Sequence, residues 1–348
     1  MQSGFDLNSL TRLNVRNLKP YSSARDEYTD SGEDMVFLDA NENPFDNGFN
    51  RYPDPQQRLL KQQLAEIKGV PANSVLLGNG SDEVLDLIFR AFCEPHRDNV
   101  ITVPPTYGMY KVLSGINAVE NREVFLTKGF MLDVDAMLSR VDDHSKIIFI
   151  SSPNNPTGNR FKDVSIGYLL ENFNGLVVID EAYIDFSRQG SWIDKLTDYS
   201  NLIVTQTFSK ALGLAGIRLG VAYASPEIVE ILNKIKPPYN VNALTQLKAM
   251  EQLKNRDQNA SQLIQILEER NKLMSDLPKV PCIQEVFDSD ANFILARVDN
   301  AQKRYNELIE KGIVVRNRSS QPLCENTLRF TVGTPEENAR LIQVLKDL

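Results

Sequence analysis

Short apolar runs alternate with helix-like segments between residues 75 and 225. The runs predicted to be strands are 75–78, 99–103, 118–126, 146–151, 175–180, 201–208 and 218–224. Most of them are continuously apolar, which is typical of strands that are buried on both faces. The pattern therefore predicts an α/β fold in which helices flank a mostly parallel central sheet.

The rest of the chain has a different pattern. After the Pro-Pro pair at 237–238, apolar residues recur at helical spacing over about 243–277, which predicts one long helix. A shorter alternation follows, with predicted strands at 292–298, 313–318 and 328–334 and predicted helices at 301–312 and 335–348. We expect a large domain at 51–242, a small α+β domain at 243–348, and an N-terminal arm at 1–50 that packs with the small domain.

Charge and composition narrow the class of protein. The 348 residues carry a formal net charge of −8, and no basic block is long enough to follow a phosphate backbone. We therefore expect no nucleic-acid partner. The first ten residues lack a targeting pattern, and no apolar stretch approaches the roughly 18 residues of a membrane span. A cytoplasmic protein without a membrane partner is expected.

Cysteine and histidine are scarce. Cys93, Cys282 and Cys324 are widely spaced, which suggests neither a disulfide framework nor a thiolate metal site. His96 and His144 lie in polar loop sequence and provide little material for a metal centre or a Ser-His hydrolase. We expect no bound metal.

One lysine stands in an informative setting. Lys210 follows a predicted strand, with Thr207 and Ser209 just before it and Arg218 in the glycine-rich stretch after it. A lysine that attacks an aldehyde must be neutral, whereas nearby cationic and hydroxyl groups suit an anionic phosphate. Taken alone, Lys210 is most simply an exposed residue after a strand, because such lysines are common.

Two other segments follow buried strands of the predicted sheet. Asp180 ends the strand at 175–180, and open α/β sheets bind ligands at the carboxyl ends of their strands. A carboxylate there can keep a pyridine nitrogen protonated, although Asp180 could instead cap a helix. Tyr183 follows shortly after it. The turn at 152–158 is fixed by prolines and a glycine, and it presents Asn155 at the sheet edge.

A glycine-containing turn joins the first predicted strand to the next helix. At Gly80, Ser81 and Asp82, backbone N–H groups and the positive helix end would face a bound anion, which predicts a phosphate cradle. The spacing matches neither G-x-G-x-x-G nor a Walker loop, which argues against dinucleotide and nucleoside-triphosphate sites. Tyr107, after the second predicted strand, offers an aromatic face to a planar ring.

These segments together resemble the fold-type I aminotransferases that depend on pyridoxal phosphate. The resemblance implies that Lys210 holds the cofactor as a Schiff base and moves protons, and that Asp180 and Tyr183 are further catalytic residues. The implied cofactor-binding residues are Gly80, Ser81, Asp82, Tyr107, Asn155, Asp180, Tyr183, Thr207, Ser209, Lys210 and Arg218, with Tyr52 reaching the cofactor phosphate of a neighbouring subunit.

The flanking segments narrow the resemblance. Segments 39–44, 51–55 and 328–334 look like those of the histidinol-phosphate branch of this family. That likeness implies reversible amino transfer between L-histidinol phosphate and 2-oxoglutarate, which gives imidazole-acetol phosphate and L-glutamate in histidine biosynthesis. It also implies a homodimer with shared active sites. The implied substrate-binding residues are Tyr21, Asn41, Arg316 and Arg329. Relatives often have Asp where this chain has Asn317.

Other activities remain open at this point. An aromatic amino-acid aminotransferase or a threonine-phosphate decarboxylase of the same family would keep the cofactor residues and differ only at substrate-facing positions. Arg316 and Arg318 could also be solvated strand ends. A cofactor-sensing regulator would need an added DNA-binding domain, and we find neither spare length nor a basic helix-turn-helix pattern.

Overall fold

The computed structural model describes residues 4–21 and 36–348. The larger of its two sheets contains β1 Val75–Gly78, β2 Asn99–Thr102, β3 Glu120–Glu123, β4 Ser145–Ser151, β5 Leu176–Asp180, β6 Leu202–Thr207 and β7 Gly220–Ala224. The order across this sheet is β1-β7-β6-β5-β4-β2-β3. Strand β7 is antiparallel to both of its neighbours, whereas the pairs from β3 to β6 are all parallel. The predicted fold class is confirmed.

Apolar cores cover both faces of this sheet. Val177 and Ile179 of β5 enter the core on one face, whereas Val178 enters the core on the other face. A strand buried in this way needs no polar positions, which explains its continuously apolar sequence.

Helices pack on both faces of the sheet and complete these cores. The helices of the described residues are α1 Leu7–Leu10, α2 Leu13–Arg16, α3 Arg58–Lys68, α4 Ser81–Phe92, α5 Met109–Ile116, α6 Val134–Ser139, α7 Asp163–Asn172, α8 Pro226–Ile235, α9 Ala243–Lys254, α10 Arg256–Asp276, α11 Ala301–Glu310 and α12 Pro335–Asp347. Short 3₁₀ helices lie at Ala72–Ser74, Ile184–Phe186, Trp192–Lys195, Ala215–Ile217 and Leu277–Lys279. Within the described ranges, none of the helices is long and apolar enough to cross a bilayer.

The smaller sheet is antiparallel throughout. Its strands are β8 Ile283–Val286, β9 Phe293–Val298, β10 Arg316–Asn317 and β11 Thr327–Thr331, in the order β10-β11-β9-β8. One face buries Ile294, Leu328 and Phe330 in a core shared with α10, α11 and α12. The strand predicted at 313–318 is only two residues long, because only Arg316 and Asn317 pair with β11.

The predicted long helix is two helices in the structure. Helices α9 and α10 are separated at Asn255, whose φ of −85° and ψ of 49° are not helical. Ala249 and Leu253 of α9 pack in a core of the larger sheet, whereas Leu273 of α10 packs in the core of the smaller sheet. The apolar periodicity continues through the break because each helix buries one face, but against different cores. The predicted domain boundary at 242 and 243 stays a prediction.

Residues 4–21 lie beside the larger sheet. Leu10 is buried in one of its cores, and the backbone N–H of Arg12 donates to the carbonyl of Ala91 at 3.0 Å. We expected this part of the N-terminal arm to pack on the small domain. Instead, the apolar side chain of Leu10 packs against the helices that flank the larger sheet. Residues 22–35 of the predicted arm lie outside the described residues.

Candidate active site

A cavity opens at the carboxyl ends of β4, β5 and β6. Parallel strands direct their carboxyl ends to the same sheet edge, where α/β proteins bind ligands. The lining residues are Ser81, Asp82, Tyr107, Ser151, Asn155, Asp180, Ala182, Tyr183, Thr207, Ser209, Lys210 and Arg218. The structure thus brings together all the cofactor-binding residues predicted from the sequence except Gly80, which lies next to Ser81, and Tyr52.

Asp180 is a carboxylate buried beneath this cavity, with 4% of its surface exposed. It accepts hydrogen bonds from the hydroxyl of Tyr110 at 2.9 Å and from the backbone N–H of Ala182 at 3.1 Å. Burial raises the pKa of Asp180, and the hydrogen bond from Tyr110 opposes that rise. Among the described residues no basic side chain forms an ion pair with it, so this carboxylate suits a ligand that carries a positive charge.

Tyr110, which the sequence did not indicate as a site residue, contacts the site through Asp180. It is fully buried, and its ring lies 5.7 Å from that of Tyr107 in an edge-to-face arrangement. Tyr110 is the second residue of α5, whereas Tyr107 lies in the loop just before the N-cap Gly108. The backbone N–H of Tyr110 donates to the carbonyl of Tyr107 at 3.4 Å, which holds the two residues together at the start of the helix. Ser151 was also missed, although its position opposite Asp180 on the neighbouring strand follows from the register.

Lys210 follows β6 and extends into the cavity. Its Nζ atom lies 5.6 Å from the centroid of the Tyr183 ring. Burial lowers the pKa of Lys210, Arg329 lowers it further, and Asp180 opposes the change. Although the side chain of Lys210 is open to solvent from the cavity, its neutral amine, which is the form that attacks a carbonyl, is more populated than in a fully solvated lysine.

The turn before α4 packs tightly against Arg218 and β7, and only glycine fits at two of the contact positions. Gly80 has a φ of +84°, and a Cβ atom there would lie 2.7 Å from a guanidinium nitrogen of Arg218. Gly220 at the start of β7 is equally constrained, because its Cβ would lie 2.3 Å from the backbone nitrogen of Ser81. Ser81 at the positive end of α4, Ser209 and Arg218 all line the cavity, and two hydroxyls and a guanidinium beside a helix N-terminus suit a phosphate.

A hydrogen-bonded chain joins the smaller sheet to the cavity. Arg329 of β11 donates through Nη1 to Oδ1 of Asn155, and Nδ2 of Asn155 lies 3.5 Å from the hydroxyl oxygen of Tyr183. The Arg329 guanidinium also lies 4.9 Å from the centroid of the Phe293 ring. Burial, followed by the charge of Arg318, lowers the pKa of Arg329 to about 10. Arg329 thus lies at the edge of the site, although it does not line the cavity itself.

The remaining predicted residues lie away from the cavity of their own chain. Tyr21 is 75% exposed, and Asn41 and Tyr52 line a separate surface groove. The ring of Tyr52 stacks on that of Tyr239 with their centroids 4.6 Å apart. Arg316 is exposed and pairs with Arg329 across the β10–β11 ladder. Arg316 is therefore connected to the site through Arg329, whereas Tyr21, Asn41 and Tyr52 have no such connection within the described chain.

The chain belongs to the family of class I and II aminotransferases, whose sequence model matches residues 29–345. The predicted family and the prediction of an enzyme that transfers amino groups are confirmed. Among curated proteins, the histidinol-phosphate aminotransferase of Flavobacterium johnsoniae is 61% identical over 98% of each chain. Others of the same description range from 51% to 62% identity over nearly the whole chain.

Solved structures agree on the fold. The histidinol-phosphate aminotransferase of Clostridium acetobutylicum superposes with a TM-score of 0.80 at 25% identity, covering 86% of this chain and 90% of its own. That of Sinorhizobium meliloti, in complex with pyridoxal-5'-phosphate, gives a TM-score of 0.78 at 22% identity, covering 85% and 82%. This last likeness indicates the fold alone.

Proposed function

We propose that this protein is a pyridoxal-phosphate-dependent histidinol-phosphate aminotransferase. It reversibly transfers the amino group of L-histidinol phosphate to 2-oxoglutarate, giving imidazole-acetol phosphate and L-glutamate. This reaction is a step in the biosynthesis of L-histidine. The observation that carries the proposal is the meeting of Lys210, whose pKa is lowered, with the buried carboxylate of Asp180 in a single cavity. Full-length similarity to histidinol-phosphate aminotransferases supports the choice of substrate.

The residues of the cavity fit the proposed cofactor at both of its charged ends. Asp180 would hold the pyridine nitrogen in its protonated form, since the buried carboxylate has only neutral donors around it in the described structure. Ser81, Ser209 and Arg218 would hold the phosphate at the start of α4. When bound, pyridoxal phosphate supplies an electron sink that lets the substrate α-carbon lose a proton.

Different side chains around the ring would transfer protons, donate to the ring oxygen and stack on the ring. Lys210 would hold the cofactor covalently until the substrate amine displaces it. Its free amine would then take the proton from the substrate α-carbon and pass it to the cofactor, and it would carry the proton in the opposite direction in the half-reaction with 2-oxoglutarate. Tyr183 and Asn155 would donate to the ring oxygen, and their mutual contact at 3.5 Å keeps both groups on the same side of the cavity. Tyr107 would stack on the ring. Its hydroxyl donates a 3.0 Å hydrogen bond to Asp82, which holds the tyrosine ring in a fixed position. Gly80 and Thr207 complete the proposed cofactor-binding set.

The substrate anion is proposed to bind at the arginines of the smaller sheet. Arg329 would bind either substrate, because a guanidinium can pair with a phosphate or a carboxylate through two parallel hydrogen bonds. Its Nε atom is buried and makes no hydrogen bond among the described residues, so the protein satisfies this guanidinium only in part. Arg316, Tyr21 and Asn41 are proposed as further substrate-binding residues.

We expect Arg329→Ala to weaken the reactions of histidinol phosphate and 2-oxoglutarate alike. A lost charge-assisted contact costs about 1.5–3 kcal/mol, which corresponds to roughly one to two powers of ten in kcat/KM for each substrate. Single-turnover measurements of the two half-reactions provide the test. Arg329→Lys distinguishes charge from geometry, since an ammonium group cannot reproduce the planar fork. Near-normal rates in Arg329→Ala would rule out its proposed role.

The active unit is proposed to be a homodimer in which Tyr52 completes the partner's site. Within one chain Tyr52 is 52% exposed and lies outside the cavity, which is compatible with a partner across the groove that it lines. We expect mixtures of Lys210→Ala and a severely impaired Tyr52 variant to regain activity, because one site of a mixed dimer keeps both residues intact. If subunit exchange is verified and activity does not return, shared sites are excluded.

A cytoplasmic location is also proposed. All three cysteines are buried and free, without a disulfide between them, which suits a reducing compartment.

Side-by-side steady-state assays test the proposed substrate. Histidinol phosphate, phenylalanine and threonine phosphate should be offered to the same preparation, with amino transfer and decarboxylation both measured. We expect histidinol phosphate to have the highest kcat/KM. A higher value for phenylalanine, or release of carbon dioxide from threonine phosphate, would favour the alternative activities.

A further inference from the structure

Arg318 is a charged residue to which the proposed function assigns no role. It follows the two-residue strand β10 directly, and its backbone N–H donates to the carbonyl of Thr327 on β11 at 3.0 Å, so the backbone still runs beside β11 at this position. Side chains two residues apart in an extended strand lie on the same face. Arg318 therefore shares a face with Arg316, which lies opposite Arg329 in the antiparallel register.

This face of the smaller sheet is turned toward the cavity. Leu295 lies opposite Arg329 and packs in a core of the larger sheet. Phe293, two residues earlier on the same strand, packs on Tyr183 with ring centroids 5.1 Å apart. The opposite face carries Leu328, which packs in the core of the smaller sheet. The three arginines thus lie on the side of the smaller sheet that meets the active site.

The charges of these three arginines are not neutralised by the described part of the protein. Arg297, on the same sheet face, pairs with Glu285 at 3.3 Å. In contrast, no acidic side chain of residues 4–21 or 36–348 lies within the 4.0 Å of an ion pair from Arg316, Arg318 or Arg329. Burial lowers the pKa of Arg318, and the charge of Arg316 lowers it further. Three clustered cations without a counter-charge favour the binding of an anion.

Hydrogen-bond donors also remain available. The Nε atoms of Arg318 and Arg329 are both buried and make no hydrogen bond within the described ranges. Arg318 is only half-buried as a residue, so its guanidinium is neither a free surface group nor part of a closed ion pair. An anion beside Arg318 would therefore lie next to a guanidinium that the described part of the protein satisfies only in part.

We propose that Arg318 is the third guanidinium of a phosphate subsite, together with Arg316 and Arg329, and that it makes the enzyme prefer a phosphate ester over a substrate with a carboxylate alone. The role rests on the proposed function. A phosphate dianion has three acceptor oxygens and about two charges, so it can use all three guanidinium groups. A carboxylate has two oxygens and one charge, and two arginines are sufficient for it.

Arg318→Gln is the first test. We expect kcat/KM for histidinol phosphate to fall about tenfold, mainly through KM, and the half-reaction of glutamate to change less than about threefold. Arg318→Lys keeps the charge and should recover part of the loss. Arg297→Gln is the matched control, because Arg297 lies on the same face but is already paired with Glu285. Equal losses for both substrates in Arg318→Gln, or an equal loss in Arg297→Gln, would overturn the proposal.

Inorganic phosphate separates this proposal from the proposed function. With the cofactor-loaded enzyme at constant ionic strength, we expect phosphate to compete with glutamate, and Arg318→Gln to weaken that inhibition about tenfold. If histidinol phosphate is not a substrate but inhibition by phosphate still depends on Arg318, the phosphate subsite stands and the proposed substrate is wrong. If Arg318→Gln leaves inhibition by phosphate unchanged, the subsite is refuted.

Discussion

Replacing Lys210 by alanine is expected to lower kcat/KM in both half-reactions by at least about 10³-fold, because one residue serves as both the covalent anchor and the proton carrier. General acid–base catalysis alone contributes typically 10²–10⁴-fold, and loss of the covalent anchor adds to this. Small primary amines added to the Lys210→Ala enzyme should restore part of the rate, since they can enter the cavity and carry the proton.

Two measurements identify the lysine directly. The wild-type protein should be yellow with bound cofactor, and borohydride reduction followed by peptide mapping should find the cofactor on Lys210. Lys128→Ala is the matched control, because Lys128 is exposed and lies in a surface turn. A label on another lysine, or full activity in Lys210→Ala, would contradict the assignment.

The sheet could be predicted from the sequence because its physical cause is local. Strands such as Leu176–Asp180 are buried on both faces, so each apolar run marks a strand without knowledge of its neighbours. The position of the site follows from the same property. Asp180 ends a buried strand, Asn155 and Lys210 each come shortly after one, and parallel strands end at one edge.

What the sequence did not predict depends on partners far along the chain. The hydroxyl of Tyr110 bonds Asp180, 70 residues away, and nothing in the local pattern indicates that contact. Strand Ile283–Val286 was missed because it is an edge strand, with Gln284 and Glu285 exposed, so its apolar signal is weak. The break at Asn255 was missed because both helices keep an apolar face.

Residues at the substrate end were also harder to assign. Arg316 and Arg318 are typical of solvated strand ends in sequence, and only the register with Arg329 brings them to one face. Asn41 and Tyr52 line a groove of their own chain, so the roles proposed for them depend on a second subunit. The roles of all the site residues stay predictions until they are tested.

Asp180→Asn is expected to lower kcat/KM by roughly two to three and a half powers of ten. The change keeps the size of the side chain but removes the charge that would hold the pyridine nitrogen protonated. Removing one partner of a buried charge pair costs about 3–5 kcal/mol, and each 1.4 kcal/mol corresponds to a factor of ten. The cofactor should also bind more weakly, which equilibrium dialysis against free pyridoxal phosphate measures without any assay of turnover.

Tyr110→Phe tests the same carboxylate through its hydrogen bond and should produce a smaller loss, about tenfold. Asp180 must be ionised to act, burial raises its pKa, and the bond from Tyr110 lowers it. Activity should therefore decline as the pH falls through the pKa of Asp180, and removal of the Tyr110 hydroxyl should move that decline to higher pH. Profiles of kcat/KM against pH for the wild type and Tyr110→Phe provide the comparison. If the decline of activity at low pH occurs at the same pH in both proteins, Tyr110 acts only by packing. If Asp180→Asn retains both turnover and cofactor affinity, the buried carboxylate does not pair with the pyridine nitrogen.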